Sequence, residues 1–185
     1  MKTDARVRYT KMIIRQCFFR LLRQKSISKI TVKEICELAQ INRSTFYKYY
    51  ADPYDLLEKL EEEAILGITQ MIDEYPQKGL RPVLITILRA ICSNSDFHDL
   101  AFLQTQEDFT RRLALACFHK IQMYNPAFSS NGGMLFGCLC GAVSGLLAYW
   151  LHSGLKETPE EIADRIILLT EAVQESFTKE NIHTM

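Results

Sequence analysis

Thr31-Val32-Lys33-Glu34 carries the tightest local instruction in this 185-residue chain. A Thr followed three residues later by a Glu lets each side chain bond the other's backbone N–H, closing a capping box at a helix start. Ile30 and Ile35 flank it at the spacing of a hydrophobic staple. Ile35, Leu38 and Ala39 then recur with helical period and give that helix an apolar face. The same grammar returns at once: Asn42 is a good cap, Ile41 and Phe46 stand at staple spacing, and Phe46 and Tyr50, four apart, face one way. Arg43, Ser44, Thr45, Tyr47, Lys48 and Tyr49 are left on the other faces. Helices this short hold only through tertiary packing. Residues 31–50 therefore read as two short helices joined by a tight turn. A second helix that exposes Arg, Ser, Thr, Lys and Tyr suits the major groove of duplex DNA.

Charge supports that reading. The chain is neutral overall, but residues 1–50 carry 12 Lys+Arg against 3 Asp+Glu, and the rest carry 10 against 19. A basic head on an acidic body points the head at a polyanion; taken without the motif, the same charges equally describe a solvated face. The N-terminus, MKTDARVRYT, lacks the apolar core of a signal peptide. Six cysteines (Cys17, Cys36, Cys92, Cys117, Cys138 and Cys140) show no C-x-x-C pair, so they are expected to be small buried hydrophobes in a reducing cytoplasm, with a redox sensor as the rarer alternative. His98, His119, His152 and His183 are far apart and form no H-x-x-x-H spacing. No nucleophile–base or metal set is present, so no catalytic residue, metal or cofactor is assigned.

Along the chain the pattern is helical. Met12, Ile13, Cys17, Phe18, Leu21 and Leu22 form a stripe over 9–24. Asp52-Pro53 starts a long helix, with Asp52 as cap and Leu57, Leu60, Ala64, Ile68, Met71 and Ile72 keeping its period until Pro76–Gly79 ends it. Residues 80–94 are apolar enough to be a strand, but no neighbour offers a partner strand, so a helix is expected. Shorter and longer helices are expected over 96–103 and 108–124. Thr158-Pro159-Glu160-Glu161 is a further capping box, opening a helix with Ile162, Ile166, Leu169 and Val173 on one stripe. The expectation is an all-α chain of about nine helices, with a three-helix head over 1–51 and a helical body over 52–185.

GGMLFGCLCGAVSGLLAYWLHS, residues 132–153, is the second informative stretch. It nears membrane-spanning length, and its glycines recur every four residues. It lacks flanking basic anchors and is followed by an amphipathic helix, so a helix buried all round is expected instead. Leu135, Leu139, Val143, Leu146 and Trp150 would face the body's own core. Gly137, Gly141, Ser144, Gly145 and Ala148 would face a close partner helix. Gly154 would end the helix.

The motif Thr31-Val32…Ile35…Ala39-Gln40-Ile41-Asn42-Arg43-Ser44-Thr45-Phe46-Tyr47-Lys48-Tyr49-Tyr50, followed by Asp52…Asp55-Leu56-Leu57, resembles the DNA-binding head of the TetR/AcrR family of bacterial regulators. GG…G…YWLHSGLKETPEEIADRI, over 132–169, is similar to the Firmicutes-type C-terminal domain of the dihydroxyacetone-kinase regulator-like subgroup. The sequence departs from the family at Ser26, at Gln40 where a turn glycine is usual, and at Pro53 in place of a phosphate-gripping lysine.

The resemblance implies a homodimer placing two recognition helices in successive major grooves of a palindromic operator in double-stranded DNA. It implies repression as the default, relieved by an unknown small-molecule effector, and no membrane. Thr31, Lys33, Asn42, Arg43, Ser44, Thr45, Tyr47, Lys48 and Tyr49 are the expected DNA-binding set. Arg43 suits a guanine edge, Ser44 and Thr45 base edges or a thymine methyl, and Tyr47, Lys48 and Tyr49 phosphates. Thr31 has a competing role as a cap, and Tyr47 as a half-buried aromatic. The family dimerises through its last two helices, which here points to the small row of 137–148 together with Ile162, Ile166, Leu169 and Val173. Intramolecular packing alone is the competing reading. Phe102, Gln106, His119 and Tyr124 mix polar with apolar and are the candidate pocket residues, although a lone histidine is more often satisfied or exposed than bound to a ligand. The alternative to a ligand-responsive regulator is a TetR-like coactivator, a protein-interaction partner that senses no small molecule.

Overall fold

The computed structural model describes residues 2–102, 107–125 and 132–180. Among them there is no strand. The helices are α1 (Lys2–Leu22), α2 (Val32–Ala39), α3 (Arg43–Phe46), α4 (Pro53–Met71), α5 (Tyr75–Lys78), α6 (Leu80–Ser93), α7 (Ser95–Phe102), α8 (Glu107–Tyr124), α9 (Gly132–His152) and α10 (Pro159–Glu180). The all-α expectation holds, and the apolar stretch read as helix rather than strand is α6. Two compact units divide inside α4, between Glu63 and Ala64; the sequence puts the division before that helix, at 51/52.

In the head, Ile14, Phe18, Phe19, Leu21 and Leu22 of α1 meet Ile30, Ile35, Cys36 and Ala39, with Phe46, Tyr50, Leu56, Leu57 and Leu60 completing a core. Each of the Ile, Leu and Phe side chains among them contributes roughly 1.5–3 kcal/mol when taken from water. Most of the expected stripe holds, with Phe18, Leu21, Leu22, Ile35 and Ala39 buried, but two places differ. Met12 is 45% and Leu38 39% exposed, while Ile14 and Cys36 take the inward places. The helical period was legible, but the margins of the stripe depended on which neighbours arrived.

Both predicted capping boxes form. Thr31 and Glu34 bond reciprocally, and so do Thr158 and Glu161. Asp52 caps α4, its Oδ1 accepting from the N–H groups of Tyr54 and Asp55 at 2.8 and 2.9 Å. The chain does not stop at Pro76: a 3₁₀ turn over Ile72–Glu74 leads into α5, and Gly79 at φ +78 ends it. Gly154, at φ +84, follows the end of α9.

In the body, α9 packs on α8 and α10, and α10 on α6. Arg81 forks onto Asp164 at 2.7 and 3.0 Å, and Arg89 reaches Glu160, tying α6 to α10 along the surface. Trp150 is fully buried and its Nε1–H donates to the Glu157 carbonyl at 2.9 Å. The expectation that α9 is buried all round fails. Leu135, Leu139, Cys140, Val143, Leu147, Trp150 and Leu151 are buried, but Gly133, Gly137, Gly141 and Gly145 are exposed beside Met134 at 74% and Tyr149 at 64%. Leu146 is only half-buried, and Leu147 holds the inward place. By length and composition Gly133–His152 would also pass for a membrane span, but its apolar face is occupied by the body's own core.

Candidate nucleic-acid interface

Phe46 anchors the recognition segment. It is fully buried, with the Tyr50 ring at 5.6 Å and the Tyr47 ring edge-on at 5.8 Å. Burial pushes the Tyr50 hydroxyl up to about 12. The helix itself is short. After Phe46 the chain continues as a turn, with the N–H groups of Tyr49 and Tyr50 both donating to the Phe46 carbonyl, at 2.9 and 3.1 Å. Asn42 has cap geometry, φ −76 and ψ 149, but its side chain makes no cap bond; its carbonyl accepts from Thr45 at 2.9 Å.

Arg43, Ser44 and Lys48 are exposed, Thr45 and Tyr49 are half-buried, and Tyr47 is 57% exposed rather than a packed aromatic. These side chains stand opposite the Phe46–Tyr50 anchor, as the spacing predicts. Lys33 is exposed and pairs with Glu37 at 3.8 Å. Thr31 has its hydroxyl engaged with Glu34. Tyr49 is tied from several sides: Lys11 stands 5.8 Å from its ring centre, Tyr50 packs beside it, and its carbonyl accepts from Lys59 Nζ at 3.1 Å. The turn between α2 and α3 puts Gln40 in the left-handed region, φ 52 and ψ 44, a conformation that costs a side-chain-bearing residue about 1–2 kcal/mol. No acidic side chain lies between 38 and 51.

No protein-family model matches the chain. Over 55 residues it is 33% identical to an uncharacterised HTH-type transcriptional regulator, YxbF, of Bacillus subtilis (strain 168), a match covering 30% of this chain and 14% of that protein. Over 94 residues it is 28% identical to the HTH-type dhaKLM operon transcriptional activator DhaS of Lactococcus lactis subsp. lactis (strain IL1403), covering 51% and 49%. The chain thus spans half or less of the curated relatives it matches. A solved TetR transcriptional regulator from Streptococcus agalactiae 2603V superposes with a TM-score of 0.68 at 25% identity, covering 92% of this chain and 98% of that one.

The chain has a TetR-like fold.

A solved dihydroxyacetone kinase operon activator DhaS shares the fold of this TetR-like chain, with a TM-score of 0.57 at 20% identity over 89% of this chain and 96% of that one.

The body of the TetR-like chain holds a cavity of about 60 Å³ among α6, α8, α9 and α10, lined by residues such as Val83, Ile87, Leu113, Ala114, Cys117 and Leu147. The wall is almost wholly apolar. Thr170, the one hydroxyl on it, donates to the Ile166 carbonyl at 2.7 Å, and burial pushes the Cys117 thiol up to about 12. Of the sequence candidates, neither His119 nor Tyr124 lines it. His119 is exposed and stacks near Phe136 at 4.8 Å, and Tyr124 donates to Asp73 at 2.5 Å on the surface. Gln106 and the Phe102 side chain lie outside the described residues. Sequence reasoning missed the cavity because its lining residues carry only an ordinary core pattern.

The residues expected at a dimer interface divide. Gly137, Gly141 and Gly145 are exposed with no atom within 4 Å of an added Cβ, and Ser144 and Ala148 are half-exposed beside them. Ile162 and Ile166 are buried in the body's own core at 1% and 5% exposure, whereas Leu169 and Val173 remain half-exposed and Leu168 is 66% exposed. Periodicity marked the apolar stripe of α10 without telling which part α6 and α9 would cover. Among the described residues no three His, Cys, Asp or Glu side chains gather as a metal site requires. All six cysteines are free; Cys36 and Cys140 are buried, Cys17, Cys92 and Cys117 half-buried, and Cys138 exposed.

Proposed function

We propose that the chain is a sequence-specific DNA-binding transcriptional regulator of the cytoplasm, acting as a homodimer on a palindromic operator and answering to a small effector in the body. The observation that carries the reading is the division of 42–50: Phe46 and Tyr50 anchor the segment, while Arg43, Ser44 and Lys48 stand free on its outer side. Arg43 reads a guanine edge, at about 1–3 kcal/mol of discrimination. Ser44 and Thr45 meet base edges, and Tyr47, Lys48, Tyr49 and Lys33 hold phosphates. Thr31 serves mainly as cap.

The partner surface in this reading is the open glycine row of α9 with Met134, Tyr149, Leu168, Leu169 and Val173. Two heads about a twofold axis require half-sites about one helical turn apart or a multiple of it. An effector in the apolar cavity must be small and uncharged, because a polar group there would lose its water without a partner. It changes operator affinity only by its preference for one head spacing over another; a tenfold effect needs about 1.4 kcal/mol of coupling.

The sign of regulation has two readings. Repression follows the family default. The name of the L. lactis relative, an operon activator, supports activation, with the body engaging another protein. Binding of the purified chain to duplex DNA from upstream of its own gene, across a salt series and with Arg43→Ala alongside, tests the core of the proposal. A steep salt slope with sequence preference lost in the variant sustains it. Absence of any preference at every salt concentration refutes self-sufficient DNA reading and turns attention to a protein partner.

A further inference from the structure

The head contains a second concavity, outside its apolar core. A cleft of about 460 Å³ opens between the first turns of α1 and the recognition segment; Arg6 and Thr10 stand on one wall, Gln40 and Asn42 at its end, and Thr45 and Lys48 on the other. Among the described residues no carboxylate lines it. Among the described residues neither Arg6 nor Lys48 has an ion-pair partner, and both are exposed. Lys11 adds a third positive charge nearby, its Nζ held over the Tyr49 ring. The Asn42 side chain makes no cap bond, whereas the Thr10 hydroxyl spends its proton on the Arg6 carbonyl at 2.8 Å, so the cations are the groups left to meet an anion.

A concave wall whose described residues include two unpaired cations and no carboxylate concentrates positive potential at its mouth. Thr45 and Lys48 belong both to this wall and to the proposed base-reading segment, so whatever the cleft holds lies next to the bases being read. The ligand class that satisfies both facts is a phosphodiester of the strand flanking those bases. We propose that the cleft seats such a phosphate, with Arg6 as a positioning residue that grips it opposite Lys48. This rests on the DNA-binding reading above and extends it to α1, whose arginines otherwise look like surface charge. Arg6 offers a planar fork suited to two phosphate oxygens at once, whereas Lys48 offers a point charge. The contact fixes register and carries no sequence information.

The test measures binding of the full chain to two duplexes, one from upstream of its own gene and one of scrambled sequence, from low to physiological salt. Arg6→Ala, Arg6→Lys and Arg8→Ala are compared; Arg8 is an exposed arginine on the same helix that does not line the cleft. Arg6→Ala should weaken binding about fivefold on both duplexes alike. It should lower the slope of log K against log salt by about 2 for a dimer, one for each head. Arg6→Lys should keep the wild-type slope and recover part of the affinity, while Arg8→Ala changes both less than Arg6→Ala does. Thermal melts confirm that each variant is folded. If Arg6→Ala behaves like Arg8→Ala, or alters sequence preference instead of overall affinity, the cleft assignment is overturned. If the wild-type chain binds neither duplex at any salt, the DNA-binding reading itself falls, and that result is distinct from the first.

Discussion

Thr31 and Glu34 hold each other's backbone: the Glu34 N–H donates to Thr31 Oγ1 at 3.3 Å, and the Thr31 N–H donates to Glu34 Oε2 at 3.0 Å. Lys25 adds a bond to the other carboxylate oxygen. The Lys25 bond first, and the Thr31 bonds after it, bring the Glu34 carboxyl down to about 2. An unfolded glutamate titrates near ~4.3. The folded value is the lower one, so this contribution is fully present above the unfolded value and is lost as pH falls from about 4 to about 2. Glu34→Gln should therefore flatten the acid limb of the stability curve in that window, measured by urea melts at successive pH. An acid limb as steep as wild type would sink the assignment.

Gln40 occupies the turn in a left-handed conformation. Gln40→Gly removes the Cβ penalty and adds unfolded-state entropy, and the first term is the larger. A gain of about 0.5–1 kcal/mol in head stability is expected from denaturant midpoints, with DNA affinity unchanged. A loss of stability would mean that the Gln40 side chain holds the turn through bonds of its own.

Gly141 stands in the middle of the open row of α9, and an added Cβ would meet nothing. Gly141→Ala should stabilise the isolated chain by about 1 kcal/mol through helix propensity. Gly141→Leu should leave the protomer folded but block the close approach of a second copy. If the proposed homodimer forms through this row, light scattering across a concentration series should show dimers for wild type and monomers for the leucine variant. Dimers that persist in the leucine variant would place the interface elsewhere.

Ala114 is 2% exposed and lines the apolar cavity. Ala114→Leu should fill that space with a stability change of under about 1.5 kcal/mol and abolish any melting-temperature rise produced by small apolar compounds. Leu113→Ala enlarges the same cavity and should cost about 2–5 kcal/mol. An apolar compound that still raises the melting temperature of the filled variant binds at another place.

The legible parts of this protein were those written in adjacent residues. A capping box needs only two side chains and the backbone between them, so Thr31–Glu34 and Thr158–Glu161 were readable without a fold. Asp52 before Pro53 marked the start of α4 for the same reason. The turn at Gln40 followed from the alignment of motif and chain. The candidate DNA-reading face followed too, because Phe46 and Tyr50 stand four apart and leave Arg43, Ser44 and Lys48 on the opposite side.

The sequence by itself determined that the chain is helical, where the capped helices at Thr31, Asp52 and Thr158 begin (though not α1, expected over 9–24 and starting at Lys2), and which short segment presents polar and basic groups around an aromatic anchor. These are outcomes of local bonding and of periodicity, which operate over a few residues. Tertiary structure alone decided where the margins of the apolar stripes fall. Ile14 is inside and Met12 outside; Leu147 is inside and Leu146 at the edge; Ile162 and Ile166 are consumed by the body while the glycine row is left open. It also decided that Arg6 would share a cleft with Lys48, and that a void would remain near Ala114. Burial depends on which distant surfaces meet, and a helical repeat constrains the spacing of apolar residues without stating how much of the helix its neighbours will cover.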